Sequence, residues 1–161
     1  GKLTTEKLTR KAVLGFDCRF AGKLFAETVA NILSSKGIAV LYFDQPTTTP
    51  AISLATKKLN CGIGIIITAS HNAPSYNGYK LKGSFGGPIL SEGIARVEEL
   101  IPDLTPDLTR QNDDLIIKID INELYINHVK AHFDLGRLPC VGKKSHKWCF
   151  QRNCFIRVNQ G

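Results

Sequence analysis

No stretch of this 161-residue sequence approaches the roughly 18 apolar residues of a membrane-spanning helix, so no membrane partner is expected. Gly1 to Lys11 lacks the basic-then-apolar layout of a secretory signal, which makes a cytoplasmic protein the expectation. Five cysteines, an odd number without tight spacing, read as reduced thiols in such a compartment. Cys140, Cys149 and Cys154, even with His146, follow no recognised zinc pattern. Internal repeats and low-complexity segments are also missing.

Acid is missing from one region. Leu135 to Gly161 holds six bases (Arg137, Lys143, Lys144, Lys147, Arg152, Arg157) and no Asp or Glu, leaving fifteen bases against fourteen acids elsewhere. The net charge of +7 is therefore a property of the C-terminal tail, and the body is near neutral. Trp148 and Phe150 among those bases are thin support for gripping single-stranded nucleic acid, and no nucleic-acid partner is expected.

What is present is a 43% apolar content, enough for a packed core, arranged in alternating short runs. Ala12 to Phe16 reads as a buried strand. A helix follows over Ala21 to Lys36, with a stripe of Leu24, Phe25, Val29, Ile32 and Leu33, stopped by Gly37. Ile38 to Phe43 is a second strand and Asp44 to Thr49 a loop. Thr49-Pro50 then enters a helix carrying Ile52, Ala55 and Leu59, with the threonine as cap. Ile63 to Ile67 is a third buried strand, and Gly78 to Lys82 alternates like a half-exposed edge strand. Ser91 can cap a helix carrying Ile94, Val97, Leu100 and Ile101. Leu115 to Ile119 is a brief apolar run of uncertain type, and Asp120 with Glu123 opens a last helix to about Phe133. Repeated strand–helix–strand units predict a three-layer α/β/α domain around a mostly parallel four-stranded sheet, its fourth strand antiparallel at the edge.

The third strand ends abruptly at Thr68-Ala69-Ser70-His71-Asn72, and ligand chemistry in open α/β sheets gathers at such carboxyl ends. A serine there is a candidate nucleophile or phosphate carrier if neighbours supply a base or strong electrostatic help. His71, Thr68 and Asn72 offer such groups, Arg19 could reach them from the end of the first strand, and Lys80 from the fourth. Cations converging on a hydroxyl suit phosphoryl transfer. On spacing alone, a Ser-His-Asn turn is more often a hydrogen-bonded loop, Asn77-Gly78 a hairpin signal, and Asp17 with Arg19 a surface pair. A serine hydrolase is disfavoured because no Gly-x-Ser-x-Gly elbow surrounds Ser70. Gly62-x-Gly64 precedes a strand, so it is no dinucleotide fingerprint, and the Gly83 to Gly87 loop lacks a P-loop's Lys-Ser/Thr ending.

Thr68-Ala69-Ser70-His71-Asn72 followed by Tyr76-Asn77-Gly78-Tyr79-Lys80 resembles the active-site serine loop of the α-D-phosphohexomutases, the phosphoglucomutase/phosphomannomutase superfamily. Gly15-x-Asp17-x-Arg19, Thr49-Pro50 and Gly86-Gly87-Pro88 are similar to bacterial members. The proline that usually follows Asn72 is displaced to Pro74 by Ala73. The resemblance implies that residues 1–134 are the N-terminal domain and that 135–161 are a basic, cysteine-containing tail foreign to the family and without order.

It implies Ser70 as phosphoserine and, through its phosphate, a ligand of Mg²⁺. His71 and Lys80 would serve as further catalytic groups, and Arg19, Thr68 and Asn72 as phosphate-binding groups. The reaction implied is interconversion of glucose or mannose 1-phosphate and 6-phosphate through a bisphosphorylated sugar. The remaining metal ligands, the sugar-selecting loop and the distal phosphate loop belong to further domains, so the isolated chain is expected to be inactive. The alternative is a non-catalytic module that binds phosphosugar or phosphate.

Overall fold

The computed structural model describes residues 9–103 and 112–133. The tail over 135–161, with Cys140, His146, Cys149, Cys154 and Trp148, lies outside them, as does most of the connector after residue 103. The expected boundary at residue 134 therefore has no described residues on its far side.

The elements run β1 (Lys11–Phe16), α1 (Gly22–Ser35), β2 (Ala39–Pro46), α2 (Thr49–Lys58), β3 (Ile63–Ile67), β4 (Tyr79–Gly83), α3 (Ser91–Glu98), β5 (Ile116–Lys118) and α4 (Ile121–His132). The sheet order is β4-β3-β1-β2-β5. β1 pairs in parallel with both β2 and β3, β2 in parallel with β5, and β3 antiparallel with β4. The sheet thus has five strands where four were expected. The uncertain apolar run supplies the fifth, with Ile116 and Lys118 opposite Val40 and Tyr42. Three residues are too few to show a periodicity, and pairing with β2 decides their state.

Residues alternate between two cores because β1, β2 and β3 are covered on both faces. Val13, Leu41, Phe43 and Ile66 pack with Ile52, Ala55 and Ile121 beneath α2 and α4. Leu14, Phe16, Val40, Tyr42, Ile65 and Ile67 pack with Ala26 and Ala30 beneath α1. The expected stripe on α1 is turned. Gly22, Ala26, Ala30 and Ser34 face the sheet, Val29 and Leu33 flank them, and Leu24 and Phe25 are exposed. Small residues at i, i+4 spacing let the helix backbone approach the strands, and they carry little hydropathy signal.

Three boundaries also differ. β2 continues through Pro46, where Phe16 finds its partner after a break in the register. The cap of α2 is Thr48, whose Oγ1 accepts from the Ala51 amide at 3.3 Å, so Thr49 is the first helical residue and Pro50 the second. Ser91 starts α3 without capping it. Asp120 caps α4 as expected, accepting from the amides of Asn122 and Glu123.

Candidate functional site

β1 sits between β2 and β3, so the chain leaves β1 in one direction and β3 in the other. The gap between their carboxyl ends is a topological switch point. The Asp17 amide donates to the Ile67 carbonyl there at 3.1 Å, locking the two strand ends together. The sequence places Asp17 and Arg19 just beyond β1 and Thr68 and Ser70 just beyond β3. The fold brings these four together across 51 residues of chain.

Asp17 and Arg19 are no surface pair: their side chains are buried, only 4% and 5% exposed. Asp17 Oδ1 accepts from the Arg19 amide at 3.0 Å, and its Oδ2 accepts the Thr68 hydroxyl at 2.5 Å and lies 3.5 Å from Arg19 Nε. Thr68 Oγ1 in turn accepts from the Ser70 amide at 3.0 Å. Thr68, expected among the phosphate-binding groups, thus has its hydroxyl buried on Asp17 and Ser70. Arg19, expected there too, turns its guanidinium to the loop. Nη1 donates to the carbonyls of Ala73 (2.6 Å) and Tyr76 (2.9 Å), and Nη2 to those of Ser70 (2.8 Å) and Asn72 (2.6 Å).

Ser70 is half-buried with φ 57°, a left-handed conformation that costs a non-glycine residue roughly 1–3 kcal/mol and that clusters at functional sites. The loop then makes two tight turns, with the Asn72 amide on Ala69 O and the Tyr76 amide on Ala73 O. Ala73, the residue that displaces the proline, contributes a carbonyl to Arg19 as well as to this turn. Asn77-Gly78 closes the loop and makes no two-residue hairpin: Asn77 Nδ2 donates to Phe20 O at 3.0 Å, and its Oδ1 accepts from the Gly78 amide.

His71 and Asn72 are exposed on the loop. Lys80 stands opposite Ile66 in the β3–β4 register and so shares the α2 face of the sheet. A cavity of about 170 Å³ on that face is bounded by Ser70, Thr68, Ile66 and the threonines Thr47 to Thr49 at the start of α2. It has room for a phosphoryl group but is well below the ~300 Å³ at which pockets for whole small ligands begin. The threonines were not singled out from the sequence as lining this space; the Thr49-Pro50 helix entry was the only pointer to them. Cys18, between Asp17 and Arg19, is no rival nucleophile. Burial and then the Asp17 charge push its thiol up, so it stays protonated at neutral pH.

A larger cavity of about 780 Å³ opens at the other end of the strands, among Lys11, Ile38, Ile63, Phe85, Ile89 and Leu90. It does not include Ser70, and its floor is apolar. A magnesium ion on a Ser70 phosphate would need further oxygen ligands. Among the described residues no three His, Cys, Asp or Glu side chains converge, and both oxygens of Asp17 are engaged. The described residues do not assemble a site for the ion. No helix among them is long and apolar enough to cross a membrane.

The profile of the family described as phosphoglucomutase/phosphomannomutase, alpha/beta/alpha domain I, matches residues 1–107. A phosphoglucomutase of Staphylococcus haemolyticus is 37% identical over 123 residues, covering 76% of this chain and 21% of the relative. That of Staphylococcus saprophyticus is 36% identical over 102 residues, 63% of this chain and 18% of the relative. Among solved structures, a candidate phosphomannomutase from Thermus thermophilus superposes with a TM-score of 0.72 at 34% identity, over 78% of this chain and 28% of that one. The chain spans about a fifth of the length of these curated relatives. It belongs to the phosphoglucomutase/phosphomannomutase family and carries that family's domain I.

Proposed function

We propose that Ser70 is the phosphoryl carrier of a phosphohexomutase that interconverts hexose 1-phosphate and 6-phosphate through a bisphosphorylated sugar. The observation that carries this is the setting of Ser70: a left-handed serine at the switch point, its amide held by Thr68 and its carbonyl by Arg19, beside a phosphoryl-sized cavity. The relatives' names, phosphoglucomutase and candidate phosphomannomutase, support glucose or mannose phosphate as substrate.

In loading the carrier, Ser70 Oγ attacks phosphorus and its proton passes to a base. The bond from phosphorus to the sugar oxygen breaks, and that oxygen regains a proton. Lys80 serves the proton transfer and His71 with Asn72 steadies the phosphoryl oxygens, roles that fit their place on the loop and on the α2 face. Thr68 supports the phosphate indirectly, by holding Ser70. Magnesium would touch this chain through the Ser70 phosphate, and the compartment proposed is the cytoplasm.

Intact-mass measurement tests the reading. On incubation with glucose 1,6-bisphosphate the 161-residue chain is expected to gain the mass of one phosphoryl group and Ser70→Ala none. No gain by the unaltered chain overturns the carrier role. Full mutase turnover by this chain is not expected, since it spans about a fifth of its relatives. Turnover above the Ser70→Ala background would refute that part.

A further inference from the structure

We propose that Arg19 is a positioning residue, which with Asp17 and Thr68 forms a closed clamp that fixes the backbone of Ser70 and leaves no accessible donor for a phosphate. This rests on the carrier role of Ser70 proposed above.

A guanidinium has five N–H donors in a rigid planar fork. Four are accounted for by the carbonyls of Ser70, Asn72, Ala73 and Tyr76, at 2.6 to 2.9 Å. The fifth, on Nε, is buried and makes no hydrogen bond among the described residues, with Asp17 Oδ2 3.5 Å away as its ion-pair partner. An arginine that met an anion would present a free edge of its fork, and this one has none. Its charge is already balanced by a buried carboxylate.

The contacts close a ring. Asp17 accepts from Thr68, Thr68 accepts from the Ser70 amide, the Ser70 carbonyl accepts from Arg19, and Arg19 returns to Asp17 through its side chain and its own amide. Ser70 is therefore gripped on both sides of its α-carbon. Two grips flanking one residue oppose rotation of its φ, and that φ is one the serine would not choose unaided. Releasing the grip lets Ser70 return to an ordinary backbone conformation and redirects its Cα–Cβ bond, and with it Oγ. Misplacing a reacting atom by about 1 Å can cost about 100-fold in rate.

Lysine keeps the charge but offers three N–H donors on one nitrogen, and so cannot span four carbonyls. In the 161-residue chain, phosphoryl uptake from glucose 1,6-bisphosphate is followed by intact mass over a range of donor concentrations. Hydrogen exchange of the loop over residues 68–78 is measured separately, without sugar. Arg19→Lys is expected to lower the saturating rate about 10- to 100-fold and to leave the half-saturating concentration within about twofold, the signature of a lost transition-state geometry. Loop amides exchange faster while those of α1 and α2 stay protected. Thr68→Val behaves likewise, and Thr68→Ser, which keeps the hydroxyl, restores both readouts.

A raised half-saturating concentration at an unchanged saturating rate would make Arg19 a phosphate ligand and overturn the clamp. Unchanged loop exchange would overturn it as well. If the unaltered chain takes up no phosphoryl group, the carrier role falls and loop exchange still decides the clamp. If Arg19→Lys does not fold, the Thr68→Val and Thr68→Ser pair decides it.

Discussion

The serine loop and α3 are about equally exposed and are held in opposite ways. Residues 71–76 are all exposed and form no regular element, yet the loop's carbonyls converge on one arginine and its turns close on themselves. α3 is a regular helix with none of its residues buried. Val97 within it and Leu100 and Ile101 just after it are 43%, 81% and 66% exposed. Helical hydrogen bonds make α3 regular without anchoring it, whereas a buried ion pair anchors a segment with no repeating structure. Regularity and anchoring are separate properties, and the candidate site is built on the second.

The hardest test of that contrast removes the anchor. Asp17→Ala leaves the Arg19 charge buried without its carboxylate and the Thr68 hydroxyl without its acceptor. Breaking such a pair is expected to cost about 3–5 kcal/mol, read as a lower denaturation midpoint in urea. A loss under about 1 kcal/mol would mean that the pair is solvated and that the loop is held by its own turns.

A smaller effect is expected one layer below the loop, where α2 lies close over β3. A Cβ added at Gly64 would run into Thr56 Oγ1, itself buried and donating to Ile52 O at 2.7 Å. Gly64→Ala is expected to destabilise by about 1–3 kcal/mol through overpacking, measured by thermal unfolding. Gly64 is a spacer between helix and strand.

Tyr42 sharpens the comparison from the other side, as a buried polar group that finds no partner. Its hydroxyl has no hydrogen bond among the described residues, unlike the fully engaged Asp17. Tyr42→Phe is expected to leave stability unchanged or to raise it by about 1 kcal/mol. Burial first, then the charges of Glu27 and Asp44, push the Tyr42 phenol up to about 12 from an ordinary value of 10.0. Between those values the unfolded chain has released its proton and the folded chain has not. Stability should therefore fall as pH rises from about 10 to about 12, and Tyr42→Phe should remove that part of the fall. Unfolding curves across this range that coincide in shape for the two proteins would refute the assignment.

Much of this was legible in the sequence because it is local. The β-branched run gave β3 its bounds, Ile63–Ile67, and Gly37 stops α1 with the positive φ of 73° that such a position requires. The serine motif pointed to Ser70. What was illegible depends on partners distant in sequence or without side-chain identity. Arg19 binds carbonyls 51 to 57 residues away, and a carbonyl is the same for every residue. Charge alone suggested a phosphate as its partner, and only geometry shows where its donors go. The buried face of α1 was hidden for a related reason: Gly22, Ala26, Ala30 and Ser34 are small, while the large Leu24 and Phe25 that dominate the pattern face outward.

The smallest effect is expected on α3, and it is the sharpest statement of the comparison. Val97 and Leu100 look like core positions by spacing, so Val97→Ser or Leu100→Ser would ordinarily cost several times the effect of a surface change. With neither side chain buried, each substitution is expected to shift stability by less than about 0.5 kcal/mol, and the two together to add. A loss of about 2 kcal/mol from either, the size of a core truncation, would mean that this face is covered in the folded chain. The contrast between an anchored loop and an unanchored helix would then belong to the described residues alone. A null result would leave α3 as a regular segment whose apolar residues contribute little to holding it.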